Sequence, residues 1–319
     1  MTSIVVQIVT YNSADDMQVC LDSVFAQTYP IEKVIVIDNN SQDNIKEVIA
    51  LYPQVYFVSN KINNGFVGGH NQAIGYADSD YVLVLNPDVI LEPGYIELIL
   101  NYMLQNQNIG AATGKLYRDM QLRNIDSTGI DIKKNRRAVD RGSGEVDQGQ
   151  YDEARVVFGV SGAAAIYKRA MIDAISTEGQ FFDESFFAYK EDVDVSWRAR
   201  LAGWEICFVP EAIAQHERGW KDRQSRKNIS LKTRRHSYIN RHFYMIKNDR
   251  FLYFLLYSPI ICLYELTCLA YLIVKEPRLI SAYLLLLKEY KALKKKRKWI
   301  QGNSQVPSIQ IYKYFKGIW

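Results

Sequence analysis

The chain has 319 residues, of which 48% are hydrophobic and 23% charged, with a formal charge of +4. This is ordinary globular composition, and it excludes a disordered chain, a collagen-like fibre and a polytopic membrane protein. The length suffices for one large domain with extensions or for two modest ones, either with a sizeable core.

The small net charge conceals a gradient. Residues 1–216 carry 17 Lys+Arg and 29 Asp+Glu, whereas 217–250 carry 11 and 3, and 276–319 carry 10 and 2. An acidic front with a basic rear predicts two tasks in two regions. Cys20, Cys207, Cys262 and Cys268 form no CxxC pair and no metal-ligand spacing with histidine, so reduced, packed thiols are expected. The start, Met1-Thr2-Ser3-Ile4-Val5, has no charged region before an apolar run. No signal peptide is therefore expected, and a cytoplasmic location is.

In chain order, Ile4–Val9 is a β-branched run ending at Thr10-Tyr11-Asn12, and 14–27 has helical spacing. Val34–Ile37 predicts a second strand ending at Asp38, 43–51 a helix, and Val55–Val58 a third strand ending near Asn60–Asn64. Gly69–Ala77 is helix-like, Tyr81–Leu85 predicts a fourth strand ending at Asn86-Pro87-Asp88, and 93–106 is helical. Short continuous apolar runs between helices predict buried parallel strands, hence a doubly wound α/β sheet. Such sheets bind ligands at the carboxyl ends of their strands, so Thr10, Asn12, Asp38, Asn64 and Asp88 are expected to converge on one crevice. Residues 117–158 are polar, with a basic stretch at 133–137, and are expected as a surface excursion, a hairpin or mobile loop. Core texture returns at Gly159–Tyr167, a helix is expected near 168–176, and Glu205–Val209 and Ala212–His216 read as two short strands around Pro210.

Three places carry chemistry. Asp88 at a strand end suits a hard cation that takes its remaining ligands from phosphate and water. His216 at another strand end offers a nitrogen to the same cation. In Lys190-Glu191-Asp192-Val193-Asp194, the neighbouring Phe186, Phe187 and Tyr189 are expected to desolvate a carboxylate and raise its pKa towards base function. Asp194 and Arg198 are spaced to pair at i,i+4 on a helix. The glycines of Gly65-Phe66-Val67-Gly68-Gly69 match neither phosphate-loop nor dinucleotide spacing.

The ordered set Val9-Thr10-Tyr11-Asn12, Val36-Ile37-Asp38-Asn39-Asn40-Ser41, Asn63-Asn64-Gly65-Phe66, Leu85-Asn86-Pro87-Asp88, Ser161-Gly162-Ala163, Phe182-Asp183-Glu184 and Glu191-Asp192-Val193-Asp194 resembles the inverting glycosyltransferases of family 2. The resemblance covers roughly 3–216 and is nearest to bacterial rhamnosyltransferase-type members of surface polysaccharide synthesis, such as O-antigen synthesis. It implies a GT-A fold, a mixed α/β sheet flanked by helices. It implies that Thr10, Tyr11, Asn12, Asp38, Asn64, Gly65 and Asn71 hold the nucleotide, and that Gly162, Ala163, Glu191 and Trp220 border the sugar and acceptor. Asp192 matches the general base, and Asp88 and His216 match the ligands of a Mg2+ or Mn2+ ion. The family's DxD motif reads Asn-Pro-Asp here, which removes one ligand charge. The implied reaction moves a sugar from a dTDP- or UDP-linked donor, dTDP-L-rhamnose or a UDP-hexose, to a glycan or polyprenyl-diphosphate-linked glycan. The rival class is a non-catalytic nucleotide-sugar or lipid-binding module that keeps the fold.

Behind this region, 217–250 interleaves Arg218, Lys221, Arg223 and Arg226 with Trp220, and continues through Lys232, Arg234, Arg235 and Arg241. No nucleic-acid motif is present, so no nucleic-acid partner is expected. The segment is read as a loop closing over the diphosphate followed by a helix facing lipid phosphates, the plain alternative being a solvated helix. Phe251–Val274 is 24 residues with Glu265 as its one charge, long enough to span a bilayer, but Pro259 interrupts it and both flanks are basic. Tyr253, Tyr257, Tyr264 and Tyr271 share a helix face and suit the headgroup level. Residues 279–299 form a basic amphipathic helix. The expected organisation is a catalytic domain at 1–216, a basic loop and helix at 217–250, and a helical tail at 251–319. That tail is expected to lie on anionic lipid at the inner face of the plasma membrane. The alternatives are packing on the catalytic domain or on a second copy in a homodimer, or a true span.

Overall fold

Ile4–Thr10 (β1), Lys33–Asp38 (β2), Tyr56–Ser59 (β3) and Tyr81–Leu85 (β4) form the parallel half of the central sheet in a computed structural model that describes residues 2–216 and 229–319. Ala14–Phe25 (α1), Ile45–Ala50 (α2) and Gly65–Ile74 (α3) connect these strands. The connections are βαβ crossovers, so β1 pairs parallel with both β2 and β4. After Val89–Leu91 (β5) and Tyr95–Gln105 (α4), the chain adds Ile109–Asp119 (β6), Asn124–Ser127 (β7), Ile130–Ile132 (β8), Ala138–Asp140 (β9) and Ala164–Lys168 (β10). Arg169–Ile175 (α5), Glu191–Leu201 (α6) and Glu205–His216 (β11) follow. The sheet order is β3-β2-β1-β4-β10-β6-β11-β5, with β7 paired to β6 and β10 antiparallel to both neighbours. This is the mixed α/β sheet anticipated, but with a second half, in which β10, β5 and β7 run antiparallel to their neighbours and β11 parallel to β6, that strand texture alone did not place.

Residues 117–158 are not a mobile surface excursion. They start inside β6, a strand the sequence did not announce, and Ile125, Asp126, Ile130, Ile132 and Arg136 are all buried. Polar composition misleads here because its charges are consumed internally. Arg136 is fully buried against Asp249 at 2.8 Å, and Lys115 lies 2.9 Å from Asp147. Glu205–His216 is one strand rather than two, because a register shift between Val209 and Ile213 absorbs Pro210 as a bulge. Helix α3 starts at Gly65, four residues earlier than its spacing predicts. Gly65 has φ +76°, and a β-carbon there would lie 2.3 Å from the Phe187 carbonyl oxygen, so only glycine opens this helix.

Leu231–Asn248 (α7), Phe251–Lys275 (α8), Ala282–Gly302 (α9) and Ser308–Tyr312 (α10) extend the same core. Phe243, Tyr244, Leu293, Tyr312 and Phe315 cluster with Trp197 of α6 and with Phe158. Each such side chain contributes roughly 1.5–3 kcal/mol of burial. Three of the four tyrosines of the α8 stripe, Tyr253, Tyr257 and Tyr264, face this core, while Tyr271 is 48% exposed. Tyr253 stacks on Tyr312 at 3.9 Å, Tyr257 lies 5.1 Å from the Arg136 guanidinium, and Tyr264 lies beneath Arg241 at 4.6 Å. The opposite face exposes Leu252, Leu255, Leu256, Leu263, Leu266 and Val274. Helix α8 is long and apolar enough to cross a membrane by length and composition.

Candidate active site

At the end of β1 the chain turns through Asn12 with φ +55°, a left-handed conformation that asparagine tolerates better than most residues. The Asn12 amide donates to Ser41 Oγ at 2.9 Å, and its side-chain carbonyl accepts from the Gln42 amide at 2.8 Å. Asp38, at the end of β2, accepts from the Ser41 amide (2.9 Å) and from Ser59 Oγ (3.1 Å), so it fixes the turn that fixes Asn12. Tyr11 and Asn12 are thereby presented to a cleft of about 1160 Å3. Thr10 is fully buried behind them.

Strand β5 pairs antiparallel with β11, bringing His216 opposite Val89 and therefore beside Asp88. His216 Nε2 lies 3.4 Å from Asp88 Oδ1, and Nδ1 lies 2.8 Å from Asp126 Oδ2 on β7. An ionised carboxylate only accepts, so the Nδ1 N–H donates to Asp126, while Nε2 faces Asp88 and can ligate a cation only by giving up its own proton. Burial pushes the imidazole pKa down, but Asp126 and Asp88 outweigh it and raise it to about 9. This donor set fits a divalent cation, with an imidazole nitrogen and a carboxylate oxygen side by side and a second carboxylate orienting the ring. Among the described residues no group of three or more His, Cys, Asp or Glu forms a cage, so a cation held here completes its shell from phosphate and water.

Across the cleft, α6 opens after a turn in which Phe187, Tyr189 and Lys190 all have positive φ (61°, 71° and 67°). Three non-glycine residues in that region are costly and persist only where surroundings hold them. The Asn240 amide supplies much of the restraint, donating to the carbonyls of Phe186 (2.9 Å), Ala188 (2.9 Å) and Tyr189 (2.7 Å). Asp192 accepts from the Gly162 amide (3.2 Å) and the Val193 amide (2.8 Å). Loss of solvent raises its pKa to about 6, with Asp140 adding to the shift and the two amides opposing it. Glu191, buried beside it, is raised well above the usual carboxylate range by burial and by Asp192, and its Oε2 has no hydrogen-bond partner among the described residues.

The cleft gathers Tyr11, Asn12, Asp88, Gly162, Ala163, Glu191, Asp192 and His216. Asp38, Asn64, Gly65 and Asn71 do not line it. Asn71 instead ties α3 to the loop before α6, donating to the Phe182 carbonyl at 2.7 Å and accepting from the Phe182 amide at 2.9 Å. Trp220 lies outside the described residues, as do Arg218, Lys221, Arg223 and Arg226. The Asp194–Arg198 pair forms at 2.9 Å, but both side chains are buried and Asp194 also receives Lys247 Nζ (2.8 Å) and Asn248 Nδ2 (2.9 Å). Sequence reasoning missed Asp126, Asp140 and Asn240. Each is an ordinary polar residue in its own segment, and only β-pairing or helix packing brings it to the cleft.

Residues 5–176 match the glycosyl transferase family 2 domain. Among curated relatives, the poly-β-1,6-N-acetyl-D-glucosamine synthase of Staphylococcus epidermidis is 26% identical over 206 residues, 64% of this chain and 47% of that protein. The synthase of the same name from Staphylococcus aureus strain MSSA476 is 26% identical over 208 residues, with the same shares. The chain thus spans about half the length of these relatives. Similar solved structures include GalNAc-T7 with UDP, GalNAc and Mn2+ (TM-score 0.62, 12% identity, 98% of this chain and 58% of that one). The Pyrobaculum calidifontis mannosyltransferase PcManGT with GDP-Man and Mn2+ superposes with TM-score 0.54 at 16% identity, over 97% and 86% of the two chains. S. aureus TarS with UDP gives 0.53 at 14% identity, over 93% and 92%. At such identities these neighbours speak to the fold, which is GT-A. The family domain covers more than half of the residues, and the chain belongs to glycosyl transferase family 2.

Proposed function

We propose that this protein is an inverting glycosyltransferase that moves a sugar from a nucleoside-diphosphate donor to a glycan or lipid-linked glycan acceptor in cell-surface polysaccharide synthesis. The observation that carries this reading is that one cleft is lined both by a desolvated carboxylate, Asp192, and by the Asp88–His216 pair, with Asp126 behind the imidazole. Inversion by single displacement needs a base on one side of the reacting carbon and charge neutralisation on the other. Asp192, held by the Gly162 and Val193 amides, takes the proton of the acceptor hydroxyl. Asp88 and His216 would hold a Mg2+ or Mn2+ ion, which when bound would supply Lewis-acid neutralisation of the leaving diphosphate. The nucleotide lies against Tyr11 and Asn12, with Thr10 and Asp38 behind them, while Asn64, Gly65 and Asn71 shape the wall. Gly162, Ala163 and Glu191 border the sugar, and Trp220 belongs to the segment expected to close over it.

A UDP-linked hexose or N-acetylhexosamine is the favoured donor, in keeping with neighbours whose structures contain UDP and relatives named for an N-acetylglucosamine polymer. The dTDP-L-rhamnose alternative rests on the motif resemblance. Residues 1–216 form the catalytic region, 217–250 a basic loop and helix, and 251–319 the helices that dock on the inner face of the plasma membrane through the exposed leucines of α8. The deciding experiment is nucleotide release from a panel of UDP-, dTDP- and GDP-sugars with and without Mn2+. Release from one sugar class, lost in chelator and in Asp88→Asn, is expected. Release from none of them, or full release in chelator, contradicts the reading.

A further inference from the structure

A second cavity, of about 590 Å3, lies between α7 and α8. It adjoins the first cleft, since Ala138, Tyr189, Lys190 and Ser237 line both. Its charge is strongly one-sided. Arg137, Lys190, Arg234 and Arg241 line it against a single carboxylate, Glu265. Arg241 pairs with Glu265, and Arg234 with Glu276 at 2.8 Å. Lys190 donates to the Ser237 carbonyl rather than to a carboxylate, and neither it nor Arg137 is in an ion pair with a described residue. The buried Nε atoms of Arg234 and Arg241 and the Nδ1 of His242 have no hydrogen-bond partner among the described residues. Burial and the Arg241 charge lower the Lys190 pKa to about 8, a cost that an anion beside it would relieve.

An apolar and aromatic part of the wall comes from α8 and the turn after it: Tyr264, Tyr271, Leu272 and Leu279. On the outer side of α8 lie the exposed leucines. One occupant satisfies the three environments in order. Its sugar hydroxyl reaches the cleft, its anionic group meets Lys190 and the arginines, and its apolar chain runs out along α8. A free anion leaves the aromatic and leucine wall unused, and a neutral lipid leaves Lys190 and Arg137 without a counter-charge. We propose that this cavity seats the phosphate or diphosphate of an amphiphilic acceptor, between the sugar it extends and its apolar chain. The proposal rests on the glycosyltransferase reading and names the acceptor class and where it is held.

The test is equilibrium binding to the full chain in chelator, so that no cation recruits diphosphate to Asp88. Farnesyl diphosphate, farnesol and inorganic diphosphate are the probes, read by calorimetry. Farnesyl diphosphate is expected to bind at least about tenfold more tightly than either of the others, since only it uses both walls. Arg137→Gln, on an exposed side chain, is expected to weaken it about fivefold, the scale of one charge-assisted contact. Cys268→Phe, which fills the cavity, should abolish binding, while UDP affinity with Mn2+ is kept in both variants. Equal affinity for farnesol or for inorganic diphosphate overturns the proposal. So does full affinity in both variants, or loss of binding in Asp88→Asn, which would place the diphosphate in the donor site. A chain that releases nucleotide from no sugar donor yet shows the expected affinities would refute the proposed reaction and leave this cavity assignment standing.

Discussion

The wall proposed to hold the donor and the wall proposed to hold the acceptor are built over different ranges of the chain. Asn12 is fixed by Ser41 and Gln42, no more than 30 residues away, through neutral hydrogen bonds at the ends of adjacent parallel strands. The turn carrying Asp192 is fixed by Asn240, about 50 residues on, and by a buried ionic cluster. In that cluster Lys247 reaches Asp183 (2.6 Å) and Asp194 (2.8 Å), and Lys296 reaches Asp183 across 113 residues (2.6 Å). Burial pushes the Asp183 carboxyl up, but the two lysines hold it far below the usual range. Helices α7 and α9 therefore hold the turn before α6 and its buried carboxylates in place as well as covering them. A GT-A sheet cut before α7 would keep its donor turns and lose the restraint on its catalytic loop.

The largest expected effect tests the chemistry of the second wall. Asp192→Asn should lower transfer by about 10²–10⁴-fold, the usual contribution of a general base, with donor affinity unchanged. Because the Asp192 pKa is raised, to about 6, kcat/KM in the wild type should climb with pH through that value and level off above it. Below the inflection the base is protonated and cannot accept. Asp140→Asn removes a negative charge that raises this pKa, so the inflection should move to lower pH. A profile that keeps its acid limb in Asp192→Asn would assign the base elsewhere.

Next in size is the ionic cluster. Lys247→Met leaves Arg198 as the ion-pair partner of Asp194 and Lys296 as that of Asp183. Uncovering buried charge of this kind costs about 3–5 kcal/mol, visible as a fall in the thermal unfolding midpoint. An exposed pair such as Arg155–Glu211 serves as the control and should give no more than about 1 kcal/mol. Asp126→Asn is smaller again. It keeps the fold of β7 but weakens the orientation of His216, and should raise the Mn2+ concentration needed for half-maximal activity by about 10- to 100-fold.

These contrasts also explain what was legible from the residues alone. The donor half was readable because its signals are local: a β-branched run, then Asn, Asp or Gly at the turn, four times over. Asp88, Asp192 and His216 were singled out because each stands at a strand or helix end beside a recognisable motif, and all three line one cleft. Asp126 and Asp140 were hidden inside a polar stretch whose charges pair internally, so composition made a buried insertion look solvated. Asn240 and Lys247 were hidden for a related reason. They sit on a basic helix, and a count of positive charge cannot tell a lysine facing lipid phosphate from one buried against Asp194. The tyrosines of α8 misled in the same way, since amphipathic side chains suit a headgroup layer and a protein interface equally well.

The finest test is a matched pair of single hydrogen-bonding deletions, one on each wall. Ser41→Ala removes the acceptor of the Asn12 amide, a partly exposed bond worth about 0.5–1.5 kcal/mol. Water can replace it, so donor KM should rise only about two- to tenfold and acceptor KM should stay constant. Asn240→Ala removes the donor to three carbonyls in a turn that already carries three strained residues, and its buried position admits no easy substitute. A loss of about 1–3 kcal/mol should appear as lower kcat and higher acceptor KM, with donor affinity intact. If both variants instead raise donor and acceptor KM together, the walls are mechanically coupled through α3, whose Asn71 bridges to Phe182 and whose Gly65 carbonyl accepts from Asn39. Separate responses would show that the acceptor wall takes its geometry from the C-terminal helices and the donor wall takes its own from the sheet.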